Sequence, residues 1–126
     1  MSELKVGLVG SATTSVNENN IAKTMKSGAL SVFATPAMCA LMEEAVCAAV
    51  QDCLEPGAGT VGISLNISHD RATPMFQEVT ATATLVAIEG RKLVYTVEAK
   101  DSKGVIGKGS HERFIINNEK FMSKLA

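Results

Sequence analysis

The stretch from Thr35 to Leu54 constrains this chain more than any other. Thr35 is a good N-cap, because its hydroxyl can accept from a free N–H of the first turn, and Pro36 suits the first helical position, where no N–H is needed. No helix breaker follows until Pro56-Gly57. The spacing therefore predicts a helix of about 18 residues, about 27 Å long. Met38, Leu41, Met42, Val46, Val50 and Leu54, with Ala and Cys between them, make it apolar on every face. Such a helix is expected to be buried nearly all round. Inside this apolar cylinder sit Glu43 and Glu44. A carboxylate in an apolar shell is costly unless paired or protonated, so at least one of the two needs a partner.

The rest of the chain reads mostly as strand. Val6 to Val16 is β-prone, Asn17 to Gly28 is polar and broken like a loop or lid, and Leu30 to Ala34 leads into the helix. After Pro56-Gly57-Ala58-Gly59 the period changes from helical to two. In Thr60–His69 the alternation sets Val61, Ile63, Leu65 and Ile67 on one face, with Gly62, Ser64, Asn66 and Ser68 on the other. Ala72-Thr73-Pro74 marks a turn, Gln77–Ile88 a long strand, and Glu89-Gly90-Arg91 a reversal into Lys92–Lys100. Asp101-Ser102-Lys103-Gly104 reverses again into Val105–Ile116, and Asn117–Leu125 reads as a closing helical turn.

The order is one strand, one long helix, then four strands expected as an antiparallel meander. One flat sheet face cannot cover a helix that is apolar all round. The expected architecture is therefore α+β, a curved antiparallel sheet wrapped around one long central helix, which is the hotdog arrangement. A single domain over residues 1–126 suits the length. Edge strands and the open side of the helix still need cover, so a homodimer is expected, with a tetramer left open.

Twelve Lys and Arg balance thirteen Asp and Glu, which argues against nucleic acid or an anionic membrane as partner. Three cysteines without a C-x-x-C pair fit a reducing compartment. Met1-Ser2-Glu3-Leu4-Lys5 lacks a signal-peptide layout and no apolar run approaches a membrane span, so the cytoplasm is expected. Two histidines in different segments and scattered cysteines predict no metal site. Gly7 and Gly10 lack the spacing and the lysine of a phosphate loop, and no cofactor is expected.

Several residues are candidates for chemistry. By alternation His69 ends the apolar ladder that points toward the helix. It is either a core histidine satisfied by a carbonyl or one half of an acid–base pair with a helix carboxylate. Local neighbours do not separate Glu43 from Glu44. Thr35 either caps the helix or faces a ligand at the helix N-terminus, where an oxyanion is well stabilised. Gly107, Gly109, His111 and Arg113 share one strand face, and two glycines there suggest close approach by a ligand or another backbone. His111, Glu112 and Arg113 also suit a solvated edge or a salt-bridge network. Gly62 removes a side chain from the strand that carries His69 and leaves its N–H available to a ligand.

These motifs add up. Phe33-Ala34-Thr35-Pro36-Ala37-Met38 with Met42-Glu43, Gly62 with Ser68-His69 and Ala72-Thr73-Pro74, Glu89-Gly90-Arg91, and Gly109-Ser110-His111-Glu112-Arg113-Phe114 together resemble the fluoroacetyl-CoA-thioesterase-like branch of the hotdog thioesterases. The resemblance runs over residues 12–124. It implies a homodimer that hydrolyses acyl-CoA thioesters at the subunit interface. The family's catalytic Thr, Glu and His match Thr35, Glu43 and His69, and its substrate-contacting Gly and Arg match Gly62 and Arg113. On that ground Glu43 is preferred to Glu44. One position departs from the pattern. Six residues before Thr35, where the fluoroacetyl-specific pattern has an aromatic, this chain has Ala29. The general chemistry therefore carries over better than the fluorinated substrate.

In the implied reaction Glu43 activates Thr35 or a water, and His69 polarises the carbonyl or assists proton transfer. The Gly62 N–H or the helix N-terminus stabilises the oxyanion. Spacing raises a difficulty. In a regular helix from Thr35, Glu43 lies about 12 Å further along the axis and ~80° round it. Either the regular helix begins later, or Glu43 meets Thr35 and His69 of a second chain. Two other functions suit the fold: a non-catalytic acyl-CoA or acyl-carrier binding module, and hydration or dehydration of an enoyl-CoA. A lone helix carboxylate without a second acid–histidine motif fits hydrolysis better than the latter.

Overall fold

The computed structural model describes residues 3–126; of the N-terminal pentapeptide, Met1 and Ser2 lie outside them. Its elements are β1 (Val9–Ser15), α1 (Ala22–Met25), α2 (Thr35–Val50), a 3-10 turn (Gln51–Cys53), β2 (Ala58–His69), β3 (Glu78–Glu89), β4 (Lys92–Asp101), β5 (Gly104–Asn117) and α3 (Asn118–Ser123). The long helix thus closes at Val50, short of Leu54. Its last carbonyls have no i+4 donors, and the chain tightens into a 3-10 turn before Pro56-Gly57.

The five strands form one antiparallel sheet in the order β1-β3-β4-β5-β2. Only β3, β4 and β5 form a meander. Instead of pairing with β3, β2 lies at the far edge beside β5, and β1 occupies the place next to β3. The connection over residues 70–77 is too long for a tight hairpin and carries the chain back across the sheet.

α2 lies against one face of this sheet. Met38, Leu41, Met42, Ala45, Val46, Ala49 and Val50 are buried, in a core shared with Val79, Ala81, Leu85, Leu93 and Tyr95. The helix approaches β1 so closely that a Cβ on Gly10 would collide with the backbone of Ala45 and Ala49. Pro36, Ala40, Glu44, Cys47 and Ala48 remain exposed, so within one chain the helix is buried on one side only. Alanine and cysteine are apolar but small, and little is lost by leaving them at the surface.

The alternation expected for β2 breaks once. Gly62 pairs with Arg113 and Ser64 with Glu112, which leaves Ile63 as an unpaired bulge residue, 51% exposed. Two residues on one strand then oppose one on the next, and the faces exchange at that point. Ile63 therefore leaves the ladder. Gly62, not Val61, shares the helix-facing side with Leu65, Ile67 and His69.

Candidate active site

The site begins at the first turn of α2. Ala34, not Thr35, occupies the N-cap position, and no side chain caps the helix. The Thr35 hydroxyl instead lies 2.7 Å from Nδ1 of His69, at the C-terminal end of β2. Two backbone bonds hold the approach to Thr35. The Phe33 N–H donates to the Thr73 carbonyl and the Ala34 N–H to the Asn20 carbonyl, each at 2.9 Å.

Burial pushes the His69 pKa below its ordinary value of 6.5, against smaller opposing effects of the Arg71 backbone and the Asp70 carboxylate. The imidazole is thus neutral near pH 7, and with its proton on Nε2 it can accept the Thr35 proton at Nδ1. Nε2 itself is buried without a hydrogen-bond partner among the described residues. A cavity of about 230 Å³ opens over the pair, lined by Ala22, Val32, Phe33, Thr35, His69 and Arg71. A larger hollow of about 700 Å³ lies among Thr84, Thr96 and Ser110, and touches none of Thr35, Glu43, Gly62, His69 and Arg113. Size alone would select it, but it holds no nucleophile–base pair.

Asp101 fastens the segment that follows His69. Its Oδ1 accepts from Arg71 Nη2 and from the Lys103 N–H, and its Oδ2 from the Thr73 hydroxyl, all at 2.8 Å. Desolvation pushes the Asp101 carboxyl up, but the Lys103 N–H, the Thr73 hydroxyl and the Arg71 charge outweigh it. The carboxyl ends below its ordinary value.

A second group of residues gathers around Glu43. Its Oε2 lies 2.9 Å from Arg113 Nη1 and 3.4 Å from His111 Nε2. Arg113, 7% exposed, also donates from Nε to the Thr60 hydroxyl (2.9 Å) and from Nη2 to the Thr60 carbonyl (2.8 Å). All three guanidinium nitrogens are therefore engaged within the chain. His111 Nδ1 lies 2.7 Å from the Ser64 carbonyl, which fixes the ring proton on Nδ1, since a carbonyl can only accept. Gly62 is small for a steric reason: a Cβ there would stand 2.6 Å from Glu43 Oε2. Glu44 is exposed. Beneath His111, with ring centroids 6.5 Å apart, lies Tyr95, whose phenol burial pushes up to about 12.

The structure thus brings Thr35 to His69, and Glu43 to Gly62 and Arg113, as two separate groups. Among the described residues Glu43 makes no hydrogen bond or ion pair with Thr35 or His69. α2 is regular from Thr35, so a later start of the helix does not reconcile the spacing. Sequence puts His111 on one face with Arg113 and in a possible salt-bridge network, but assigns neither it nor Thr60 to the Glu43 group. The shared face of His111 and Arg113 was the available signal for the first, and nothing local marks the second. Among the described residues no group of three or more His, Cys, Asp or Glu is arranged to hold a metal.

Residues 16–119 match the family model described as fluoroacetyl-CoA-specific thioesterase. The chain belongs to that family. It is a thioesterase of the hotdog fold. A curated relative, fluoroacetyl-CoA thioesterase of Streptantibioticus cattleyicolor, is 46% identical over 94 residues, spanning 75% of this chain and 68% of that protein. The solved structure of the fluoroacetyl-CoA thioesterase FlK superposes with a TM-score of 0.92 at 35% identity, over 98% of this chain and 96% of the other. A variant of that enzyme in complex with fluoroacetate and CoA gives 0.88 at 37% identity, over 94% and 99%. A thioesterase-superfamily protein of Thermus thermophilus, 24% identical, has the same fold, with a TM-score of 0.90 over 99% of this chain and 93% of that one. Ala29 is exposed, while the nearby Phe33 is buried and lines the cavity. Among the described residues no helix is long and apolar enough to cross a membrane.

Proposed function

We propose that this chain, acting as one domain, hydrolyses a short acyl-CoA thioester to the free acid and CoA. Thr35 and His69 act together with Glu43 of the partner subunit in a cytoplasmic homodimer. The observation that carries the reading is the 2.7 Å contact of the Thr35 hydroxyl with His69 Nδ1, in place of a helix cap. Two further observations support it. The Glu43 cluster uses Oε2 alone, which leaves Oε1 with no protein partner among the described residues and a lone pair for a water. And β2, which carries both His69 and Gly62, is a free edge of the sheet. Antiparallel pairing of two such edges about an axis near Leu65–Asn66 sets His69 of one protomer near Gly62, and hence Glu43, of the other. Free cysteines fit the cytoplasm.

In the first half-reaction His69 Nδ1 takes the Thr35 proton while Oγ attacks the thioester carbon. N–H groups at the start of α2 stabilise the oxyanion. The C–S bond breaks and the departing CoA sulfur takes the proton back from His69. In the second, Oε1 of the partner's Glu43 accepts a proton from water, the resulting hydroxide attacks the acyl-threonine ester, and Oγ leaves with the proton that Glu43 took, which restores both groups. Arg113 and Gly62 serve through Glu43, one holding its carboxylate and the other leaving it room. The cavity over Thr35 suits a small acyl group. Ala29 supplies no aromatic for a fluorinated one.

Thiol release from a panel of acyl-CoA esters tests this. Thr35→Ala, Glu43→Gln and His69→Ala should each lose about 10²–10⁴-fold in kcat/KM, while Thr35→Ser keeps activity. A one-to-one mixture of Thr35→Ala and Glu43→Gln chains, unfolded and refolded together, should regain about a quarter of wild-type rate through heterodimers with one intact site. No regain, with heterodimers present, would place the whole site in one chain. CoA esters that raise the melting temperature without being consumed would make the protein a binding module.

A further inference from the structure

We propose that His111 is the positioning residue of the Glu43 carboxylate, and that it works by tying the β2 bulge to it. The inference rests on the reading of Glu43 as the base, and it concerns what holds that base still.

Three facts define the arrangement. His111 is 2% exposed, and its ring bridges β2 and α2: Nδ1 reaches the Ser64 carbonyl on β2, and Nε2 faces Glu43 from α2. Ser64 is the residue at which pairing resumes after the bulge, and Gly62, on the other side of it, leaves the space that Oε2 fills. Arg113 Nη1 lies 2.9 Å from Oε2 and 3.3 Å from His111 Nε2, so one donor is shared between carboxylate and imidazole.

The proton count follows from these contacts. With Nδ1–H given to Ser64, a neutral ring presents its Nε2 lone pair to Arg113 and steers the shared N–H; a protonated ring donates from Nε2 to Oε2 directly. In the neutral state the ring acts on Oε2 only through the Arg113 donor it orients, and in the protonated state it holds Oε2 itself. The oxygen left over, Oε1, is the one that faces a water. A buried ring fixed at both nitrogens cannot rotate about its Cβ–Cγ bond without breaking the Ser64 bond. The orientation of Glu43 is thereby set by the backbone of an edge strand rather than by its own flexible side chain. Arg113 alone does not do this, because a lone ion pair leaves the carboxylate free to turn about the contact.

Two substitutions separate the halves of the bridge. His111→Asn keeps an amide donor near the Nδ1 position, for Ser64, and loses the contact with Glu43. It should unfold within a few degrees of wild type, lower kcat by about 10–100-fold and leave KM within about threefold. His111→Gln restores a polar group near the Nε2 position and should recover part of kcat. In a Glu43→Gln background His111→Asn should cost nothing further, since its effect passes through that carboxylate. Wild-type kcat in His111→Asn, or an undiminished loss in the Glu43→Gln background, would overturn the proposal.

Failure of the underlying reading shows separately, as full activity in Glu43→Gln alone. In that event imidazole ¹⁵N shifts of the wild type and Glu43→Gln still decide the positioning contact. Movement confined to the His111 Nε2 resonance supports it, and no movement refutes it. The same spectra serve if His111→Asn fails to fold.

Discussion

A Cβ on Gly62 would stand 2.6 Å from Oε2 of Glu43, closer than real Cβ atoms come to an oxygen. It would also crowd His111 Cε1 at 3.2 Å and Arg113 Nη1 at 3.3 Å. Gly62 is not among the residues with positive φ, so its absent side chain, not its backbone freedom, is what the site uses. Gly62→Ala should therefore fold normally, because the displaced atom is the tip of a side chain 42% exposed. It should lower kcat by about 10–100-fold by turning the carboxylate. Thiol release at saturating substrate, beside a melting curve, measures both, and an unchanged kcat removes the steric role.

His69 makes both activity and stability sensitive to acid. Burial lowers its folded pKa below the unfolded 6.5, so below pH 6.5 the unfolded chain binds more protons than the folded one. Stability should fall as pH drops through 6.5 and level off below the folded value. The acid limb of kcat/KM should turn at an apparent pKa under 6.5, because protonated Nδ1 cannot accept from Thr35. His69→Gln should flatten the stability component between pH 7 and 5, as read from denaturant midpoints.

Asp101 gives a second pH signature at lower values. Its folded carboxyl lies below the unfolded 3.8, so its contribution is present above that value and is lost as pH falls through the folded one. Asp101→Asn keeps the shape but loses the charge on Arg71 and an acceptor for the Lys103 N–H or the Thr73 hydroxyl. It should destabilise by about 1–3 kcal/mol. Hydrogen exchange should quicken at Phe33, whose N–H is held by the Thr73 carbonyl.

Gly10→Ala should be among the most destabilising single methyl additions, at about 1–3 kcal/mol. The added Cβ meets main chain of α2 at Ala45 and Ala49, which cannot step aside as a side chain can. A melting temperature equal to wild type would contradict the close packing of β1 on α2.

Much of this was legible from residues alone. The helix, the hairpins at Gly90 and Gly104, and the closing turn at Asn117 rest on local chemistry: both glycines adopt positive φ, and the Asn117 side chain accepts from the Lys120 N–H. The edge position of β2 was not legible, because alternation specifies which face a strand buries and not which strand it pairs with. The bulge was hidden by its own residue. Ile63 continues the apolar pattern unbroken, so nothing in the string signals that it turns outward. Thr35 was ambiguous in principle, since a cap and a histidine partner ask for the same hydroxyl, and only the tertiary approach of His69 decides. Glu43 and Glu44 differ by 100° of helix rotation, and which of them meets Arg113 depends on how α2 lies across β5.

Main-chain bonds lead into Thr35: Phe33 hangs from Thr73, Ala34 from Asn20, and Val32 accepts from the Ala22 N–H. Thr73 and Asn20 are tied by their side chains as well, to Asp101 and to the Ser15 carbonyl, whereas Ala22 and Val32 join this network through main chain. The side chains of Ala22 and Val32, which line the cavity, can therefore change over evolutionary time without moving the Thr35 hydroxyl. What the protein admits is free to drift, while what it does to the admitted molecule is inherited intact.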